Sequence, residues 1–310
     1  MILSQLRYVV AVDEHRHFTR AADACGVSQP TLSMQIRKLE EELGVELFHR
    51  DRFRVRPTDI GGALVEQART ILREVARMRV LAGDDAGPVA GELRLGVIPT
   101  VGPLLLPRAL PRLLERHHAL SVVVEERKTS ELVAELKAGR LDAALLATPA
   151  DAAGLEQEEL FREPFVAYLA PTHPLVDREL LTRDDLRLDE LWLLREGHCF
   201  RDQILDLCST DHVDSGPPRS LSFESGNLHT LKRLVDEIGG MTLLPQLMVG
   251  ELTPEEGTRL RRFAEPAPAR TVSFVHGRTY LKQAAREALV AELRSSVQGE
   301  GVSTLDGRQP

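Results

Sequence analysis

The stretch HFTRAADACGVSQPTLSMQIRKLEEELGVELFHR, His17 to Arg50, admits few structures. It reads as two short helices joined by a tight turn. Ala21, Ala22 and Val27 pack the first, Gly26 supplies the turn, and Ser28 is placed to cap the second, whose first turn tolerates Pro30. In the second helix Leu32, Ile36, Leu39 and Leu43 fall within a narrow arc at about 100° per residue and must face the core. Gln29, Pro30, Ser33, Met34 and Arg37 are then left outward in the N-terminal half, the part of a recognition helix that reaches base edges in the major groove. The acid run Glu40, Glu41, Glu42 lies farther on, clear of phosphates.

RFRVR follows with strict alternation, Arg52, Arg54 and Arg56 on one face and Phe53 and Val55 on the other, which predicts a β-wing with a cationic edge. The chain carries a net charge of −8, but residues 1–60 hold nine Lys/Arg against nine Asp/Glu, so the excess acid lies beyond them. Within that neutral segment RDRFRVR, Arg50 to Arg56, has four arginines against one aspartate, a local docking surface for phosphate. Each piece alone is ordinary, since amphipathic helices usually form core and charged runs usually face solvent. The ordered combination of turn, helix and basic wing points to duplex DNA.

From Thr58, a candidate N-cap, to about Ala82 there is no proline, and Leu64, Ala68, Ile71, Val75, Met78 and Ala82 alternate spacings of four and three. This heptad seam predicts a rod of roughly 37 Å that pairs two chains; a helix packed on its own domain is the other reading. GDDAGPVAG, Gly83 to Gly91, is a hinge by composition. Beyond it ELRLGVI, SVVVEER, LDAALLA, EPFVAYLA, LWLLREG, MTLLP and TVSFVHG read as strands alternating with helices such as TSELVAELKAG and GNLHTLKRLVDEIGG. Alternation of that kind predicts two α/β lobes built on parallel sheet. The tail after Ser296 is polar and is expected to be disordered.

The N-terminus has neither a basic leader nor a cleavable apolar core, and apolar runs reach no more than six residues, so a soluble, cytoplasmic protein without membrane contact is expected. Thiols there are kept reduced. Two of the three cysteines sit in GHCFRDQILDLC, Gly197 to Cys208. On a helix Cys199 and Cys208 would be separated by about 13.5 Å along the axis, and a disulfide tolerates at most about 7 Å between Cα atoms. A bond between them therefore requires this helix to unwind. Cys199 stands at the helix start, where amide dipoles and a charged His198 would favour thiolate, with Arg201 nearby; Cys208 shares the apolar face. Oxidation of Cys199 followed by condensation with Cys208, or two incidental thiols, both fit these residues. Cys25 reads as packing.

FTRAADACGVSQPTLSMQIRKLEEELGVELFHR resembles the winged helix-turn-helix of LysR-type transcriptional regulators over about thirty continuous residues. The resemblance implies an α/β regulatory domain of two periplasmic-binding-protein-like lobes, with an N-terminal all-α-plus-wing winged helix-turn-helix and a linker helix. The expected boundaries are 1–58 for DNA binding, 59–86 for the dimerising linker and hinge, and 87–297 for the regulatory domain. Lobe I takes about 92–163 plus 269–297, lobe II about 164–268, and 298–310 form the tail. GHC-x-RDQ-x-x-x-x-C is similar to the redox loop of the peroxide-sensing branch of that family, and IPTVGP also looks like that branch. By this resemblance Cys199 and Cys208 form the redox pair, and Thr100, Thr129 and His198 surround peroxide. Asp142, Arg201 and Arg270 would hydrogen-bond or balance charge there. For the two threonines the alternative role is helix capping. The segment STDHVDSGPPRS after Cys208 is longer than the family pattern.

The expected partners are double-stranded promoter DNA, hydrogen peroxide, a second copy in a homodimer that pairs into a homotetramer, RNA polymerase, and a thiol reductant such as glutaredoxin or thioredoxin. No cofactor, no metal and no enzymatic turnover are expected. Three rivals are weighed against this. A LysR-type regulator would bind a small metabolite in the inter-lobe cleft. A thiol peroxidase lacks support from any C-x-x-C and leaves the DNA reader unexplained. Zinc held by His198, Cys199, Cys208 and His212 would need adjacent ligands that diverge by about 100° on a helix.

Overall fold

The computed structural model describes residues 1–50, 55–81, 89, 91–149, 153–208, 223, 225–277 and 283–305. They fall into two compact units that divide after Ala86.

The N-terminal unit packs α1 (Leu3–His15), α2 (Phe18–Ala24) and α3 (Gln29–Leu43) around Leu6, Val9, Val12, Ala21, Ala22, Leu32, Ile36 and Leu39. Ser28 caps α3, its Oγ accepting from the Thr31 amide at 3.4 Å. Leu43 departs from expectation and is 39% exposed, because the helix ends there and Gly44 turns the chain away in the left-handed region. Of RFRVR only Val55 and Arg56 are described. The wing is a hairpin of β1 (Phe48–Arg50) and β2 (Val55–Pro57), with His49 opposite Arg56, and residues 51–54 between them lie outside those described.

α4 (Asp59–Leu81) starts at Thr58, whose Oγ1 accepts from the Gly61 amide at 2.9 Å, as a side-chain cap does. Its first half packs on its own unit: Val65 and Ala68 are buried, and Arg69 pairs with Asp13 at 3.0 Å and Glu14 at 2.6 Å on α1. Farther along, Val75 is half-buried and Met78 is 70% exposed, while Ala82 lies outside the described residues. The heptad seam therefore divides between an intramolecular half and an open one.

In the C-terminal unit nine described strands form one mixed sheet rather than a parallel one. β3 (Gly91–Val97) pairs in parallel with β4 (Leu120–Glu126) and β5 (Ala143–Leu146), flanked by α5 (Gly102–Arg116) and α6 (Thr129–Lys137). The long β6 (Leu155–Leu169) runs on through the unit, and β10 (Ala269–Gly277) returns antiparallel between β5 and β6. The far end of β6 pairs with β8 (Met241–Pro245) and β9 (Leu260–Phe263), and β9 pairs with the short β7 (Leu180–Leu181). Because the chain passes out along β6 and back along β10, these two strands must oppose one another, which sequence alternation alone does not reveal. α7 (Cys199–Leu205), α8 (Leu228–Ile238) and α9 (Pro254–Gly257) belong to the second half of this unit, and α10 (Gln283–Ser296) packs on α5.

LWLLREG is not a regular strand; it makes isolated bridges at Leu191 and Leu194, and the Trp192 Nε1 donates to the Gly239 carbonyl at 2.7 Å. The tail expected to be disordered is ordered as far as it is described. Val297 is buried, and β11 (Ser303–Thr304) adds to β6 beside Arg162 and Phe161, satisfying amides that a free strand edge leaves unpaired. None of the described helices is long and apolar enough to cross a membrane.

A charge cluster ties α8 to the sheet. The Asp236 carboxylate accepts from Tyr168 at 2.7 Å, Arg259 at 2.8 Å and Lys232 at 2.9 Å, and Lys232 also bonds Glu256 on α9. Burial pushes the Asp236 carboxyl up, but these donors outweigh it and hold it below the ordinary range; Lys232 and the Thr253 amide do the same for Glu256. Unfolded carboxylates take up protons near pH ~4 while these stay ionised, so their stabilisation is present above that pH and lost as pH falls through the lower folded values. The thermal midpoint of the protein should fall below pH ~4, and Asp236→Asn should shrink that fall in a calorimetric pH series. An identical pH profile in Asp236→Asn would remove Asp236 from the account.

Candidate functional site

On the N-terminal unit the exposed face of α3 carries Gln29, Pro30, Met34 and Arg37, with Ser33 half-buried beside them. Arg56 stands exposed on β2. The surface is therefore a helix flanked by a wing, as a major-groove reader requires. Arg52 and Arg54 lie outside the described residues, and of Arg50 only the backbone is placed.

The second site gathers at the C-terminal end of β3. Ile98, Thr100, Thr129, Gly197, His198, Cys199 and Phe200 line a cavity in which the centre of a water-sized molecule has about 10 Å³, the room of about one such molecule. Four residues expected at the site, Thr100, Thr129, His198 and Cys199, thus meet from three separate stretches of chain. Neither threonine acts as a helix cap. Thr100 precedes Val101, the N-cap of α5, and its Oγ1 accepts from Arg270 Nη1 at 2.8 Å. Thr129 is the first residue of α6, and its buried Oγ1 has no hydrogen-bond partner among the described residues. A hydroxyl that accepts from arginine still has its own proton to donate, so both threonines can offer a donor to an occupant of the cavity.

His198 is buried at the N-cap of α7. Burial, and then repulsion from Arg195 and Lys128, push its imidazole below the ordinary range. Arg195 Nε donates to His198 Nε2 at 3.3 Å; since an arginine can only donate, the neutral ring carries its proton on Nδ1. The ring is therefore neutral, and the condition under which His198 would favour a thiolate, a charged imidazole, is not met. The cations at the site are Lys128, which lines the cavity and donates to the Glu196 carbonyl at 3.1 Å, and Arg195. Gly197 is required by its φ of +86°; a Cβ there would also approach Lys128 Nζ at 2.8 Å, a flexible chain end that could give way.

Cys199 is half-buried as the first residue of α7. The helix is shorter than expected and stops at Leu205, after which Leu207 and Cys208 continue as a tight turn, with the Cys208 amide on the Leu205 carbonyl at 3.2 Å. Cys208 is buried, its Sγ donates to the Ile204 carbonyl at 3.3 Å, and burial pushes its thiol up. Both thiols are free. Phe200 and Ile204 anchor α7 in the core, and Gln203 Nε2 holds the carbonyl of Ala147, just past β5, at 2.6 Å.

The remaining expected residues are not at the cavity itself. Arg270 stands one layer behind: fully buried, it bonds Thr100 through both hydroxyl and carbonyl, pairs with the equally buried Glu163 at 2.8 Å, and lies 5.1 Å from the Phe200 ring centre. Arg201 turns away and donates to the Leu194 carbonyl at 3.0 Å. Asp142 is misassigned. It sits at the opposite end of β5, its carboxylate accepting from the Arg94 amide at 2.8 Å, a strand-pinning role. His212 lies outside the described residues. Glu163, Lys128 and Phe200 were not among the expected site residues; Glu163 is one of four acids on β6, and nothing in the sequence singles it out.

Residues 86–298 match the family described as LysR substrate binding domain, and residues 3–62 match the bacterial regulatory helix-turn-helix protein, lysR family. The hydrogen peroxide-inducible genes activator of Pectobacterium carotovorum subsp. carotovorum is 40% identical over 96% of this chain and 98% of its own. The DNA-binding transcriptional dual regulator OxyR of Escherichia coli is 38% identical over 96% of this chain and 97% of its own. Among solved structures, a full-length OxyR mutant from Pseudomonas aeruginosa superposes with a TM-score of 0.72 at 36% identity, covering 95% of this chain and 98% of that one. A hydrogen peroxide-bound OxyR mutant from Corynebacterium glutamicum does so with a TM-score of 0.64 at 30% identity, covering 96% and 93%. The chain belongs to the LysR family of transcriptional regulators, in the branch of the hydrogen peroxide-inducible genes activators.

Proposed function

We infer that this protein binds promoter DNA and responds to hydrogen peroxide through Cys199 and Cys208. The observation that carries this reading is the convergence of two threonine hydroxyls with protons still to donate, Thr100 held by Arg270 and Thr129 without a partner among the described residues, a neutral histidine and a half-buried thiol on a cavity the size of one small molecule. Peroxide fits there, with Thr100 and Thr129 donating to its oxygens. The Cys199 sulfur attacks one oxygen, the O–O bond breaks, the leaving hydroxide is protonated to water, and Cys199 becomes a sulfenic acid. The Cys208 sulfur then attacks that of Cys199, expelling water and closing a disulfide. So small a cavity leaves no room for a metabolite at the thiol. The reading is tested by mapping cysteines by mass after a brief micromolar peroxide pulse: a Cys199–Cys208 crosslink supports it, and two thiols left reduced would sink it.

DNA is held by α3 and the wing, with Gln29, Pro30, Ser33 and Arg37 toward bases and Arg50, Arg52, Arg54 and Arg56 toward phosphates. Arg56→Ala should weaken binding to all duplexes and lower the slope of log K against log salt by about one, while Arg37→Ala should relax sequence choice as well. Binding isotherms at several salt concentrations check both, and an unchanged slope for Arg56→Ala counts against the wing. The open half of α4, exposing Met78, suits a second copy of the chain, as a homodimer and then a homotetramer require. A thiol reductant such as glutaredoxin or thioredoxin would reset the disulfide, and RNA polymerase is the partner that a promoter-bound regulator addresses.

A further inference from the structure

Breaking the O–O bond of peroxide raises a question of proton supply. The departing oxygen leaves as hydroxide, a strong base, and its departure is eased when an acid gives it a proton as the bond parts. With room for about one small molecule, the cavity holds no water beside the oxidant to play that part. The proton must come from the wall.

Most of the wall is unsuited. Ile98, Pro99 and Phe200 are apolar, and the two threonine hydroxyls donate hydrogen bonds without ionising at neutral pH. His198 is neutral, its Nε2 accepts from Arg195, and a neutral imidazole does not release its remaining proton. Lys128 differs: among the described lining residues it alone carries a positive charge. Its backbone is the N-cap of α6, at the junction with β4, and its side chain lies across Gly197, where the place of a Cβ is 2.8 Å from Nζ, 3.3 Å from Cδ and 3.4 Å from Cε. The ammonium is thereby set over the turn that leads into His198 and Cys199. Of its three protons one is given to the Glu196 carbonyl at 3.1 Å, and no carboxylate pairs with it among the described residues. A half-buried ammonium without a counter-ion is preorganised for negative charge that arrives with the reaction.

We propose that Lys128 is a catalytic residue of the oxidation step, giving its proton to the oxygen that leaves peroxide. The step rests on the peroxide reading above. The ionised Cys199 sulfur bonds the near oxygen, which keeps its hydrogen and becomes the sulfenic acid. The electron pair of the O–O bond goes to the far oxygen, which takes the proton from Lys128 and departs as water. Sulfur is oxidised by two electrons and peroxide is reduced by two; the neutral amine then recovers from solvent the proton that the thiol had released. Thr100 and Thr129 hold the oxidant, and Lys128 completes the leaving group.

The test uses the reduced full-length protein with Cys208→Ser, so that sulfenic acid accumulates at Cys199. The probes are hydrogen peroxide and methyl iodide, a small electrophile whose leaving iodide takes no proton. In Lys128→Met the rate of sulfenic acid trapping should fall about a hundredfold, while S-methylation of Cys199 stays within about twofold of the parent. Lys128→Arg keeps the charge and the donors but does not release a proton, so it should stay slow toward peroxide. An unchanged peroxide rate in Lys128→Met would overturn the role. So would an equal fall in both reactions, which would mean that Lys128 acts only on the thiolate, or full recovery in Lys128→Arg, which would mean that charge alone suffices. Failure of the peroxide reading looks different: a parent protein that is methylated at Cys199 yet yields no sulfenic acid overturns that reading, and this step with it.

Discussion

Cys199→Ser should abolish the peroxide response completely, whereas Cys208→Ser should still be oxidised at Cys199 and stop at the sulfenic acid. The asymmetry follows from where the two sulfurs stand. Cys199 lines the cavity at the head of α7, while Cys208 is buried, has its thiol pushed up by that burial, and donates to the Ile204 carbonyl. The second thiol must wait for α7 to open. The helix between them is about 9 Å long, beyond the roughly 7 Å that a disulfide spans. Opening it exposes Phe200 and Ile204, fully buried side chains worth about 1.5–3 kcal/mol each, and forfeits the edge contact with Phe165. Closure should therefore lag behind sulfenic acid formation, and amide hydrogen exchange across 199–208 should rise in the oxidised protein. Trapping of sulfenic acid and disulfide over time, alongside exchange mass spectrometry, checks both. Equal loss of initial peroxide reactivity in the two mutants would contradict the roles, and a closed disulfide with undiminished exchange protection would exclude unwinding.

Local chemistry was legible in the residues; crossings of the chain were not. Ser28 and Thr58 declare their caps because a side-chain oxygen and the amide it serves lie three residues apart. The thiol site was legible because short motifs carried it: Thr100, Thr129, His198 and Cys199 each sit in a family-like string, and the fold brings those strings together. Arg270 was legible as a participant but not its partner, since Glu163 is 107 residues away and meets it only because β10 runs antiparallel to β6. Asp142 failed for a related reason. A loop acid before a strand can face either end of the sheet, and here it pins β3 to β5 instead of facing the cavity. The charge on His198 also depended on tertiary neighbours, for Lys128 arrives from 70 residues away. Cys25 has a thiol that burial and Glu14 push up, consistent with packing at the end of α2.

Arg270→Met should destabilise the C-terminal unit by about 3–5 kcal/mol, the usual cost of leaving one charge of a buried pair without its partner, or roughly 6–20 °C in thermal midpoint for a domain of this size. Glu163 would retain only its bond from the Leu247 amide at 2.8 Å, with no cation to balance it. The double variant Glu163→Gln, Arg270→Met removes both charges at nearly constant volume, and most of the lost stability should return. Peroxide reactivity at Cys199 should not return with it. Arg270 fixes Thr100 through hydroxyl and carbonyl together, and without that clamp the hydroxyl is free to rotate away from the cavity. Melting curves and sulfenic acid trapping rates on the three proteins thus separate two roles that a single mutant confounds. If the double variant regains stability and reacts at the wild-type rate, Arg270 is a structural counter-ion to Glu163; if it regains stability and stays slow, Arg270 positions the threonine that receives the oxidant.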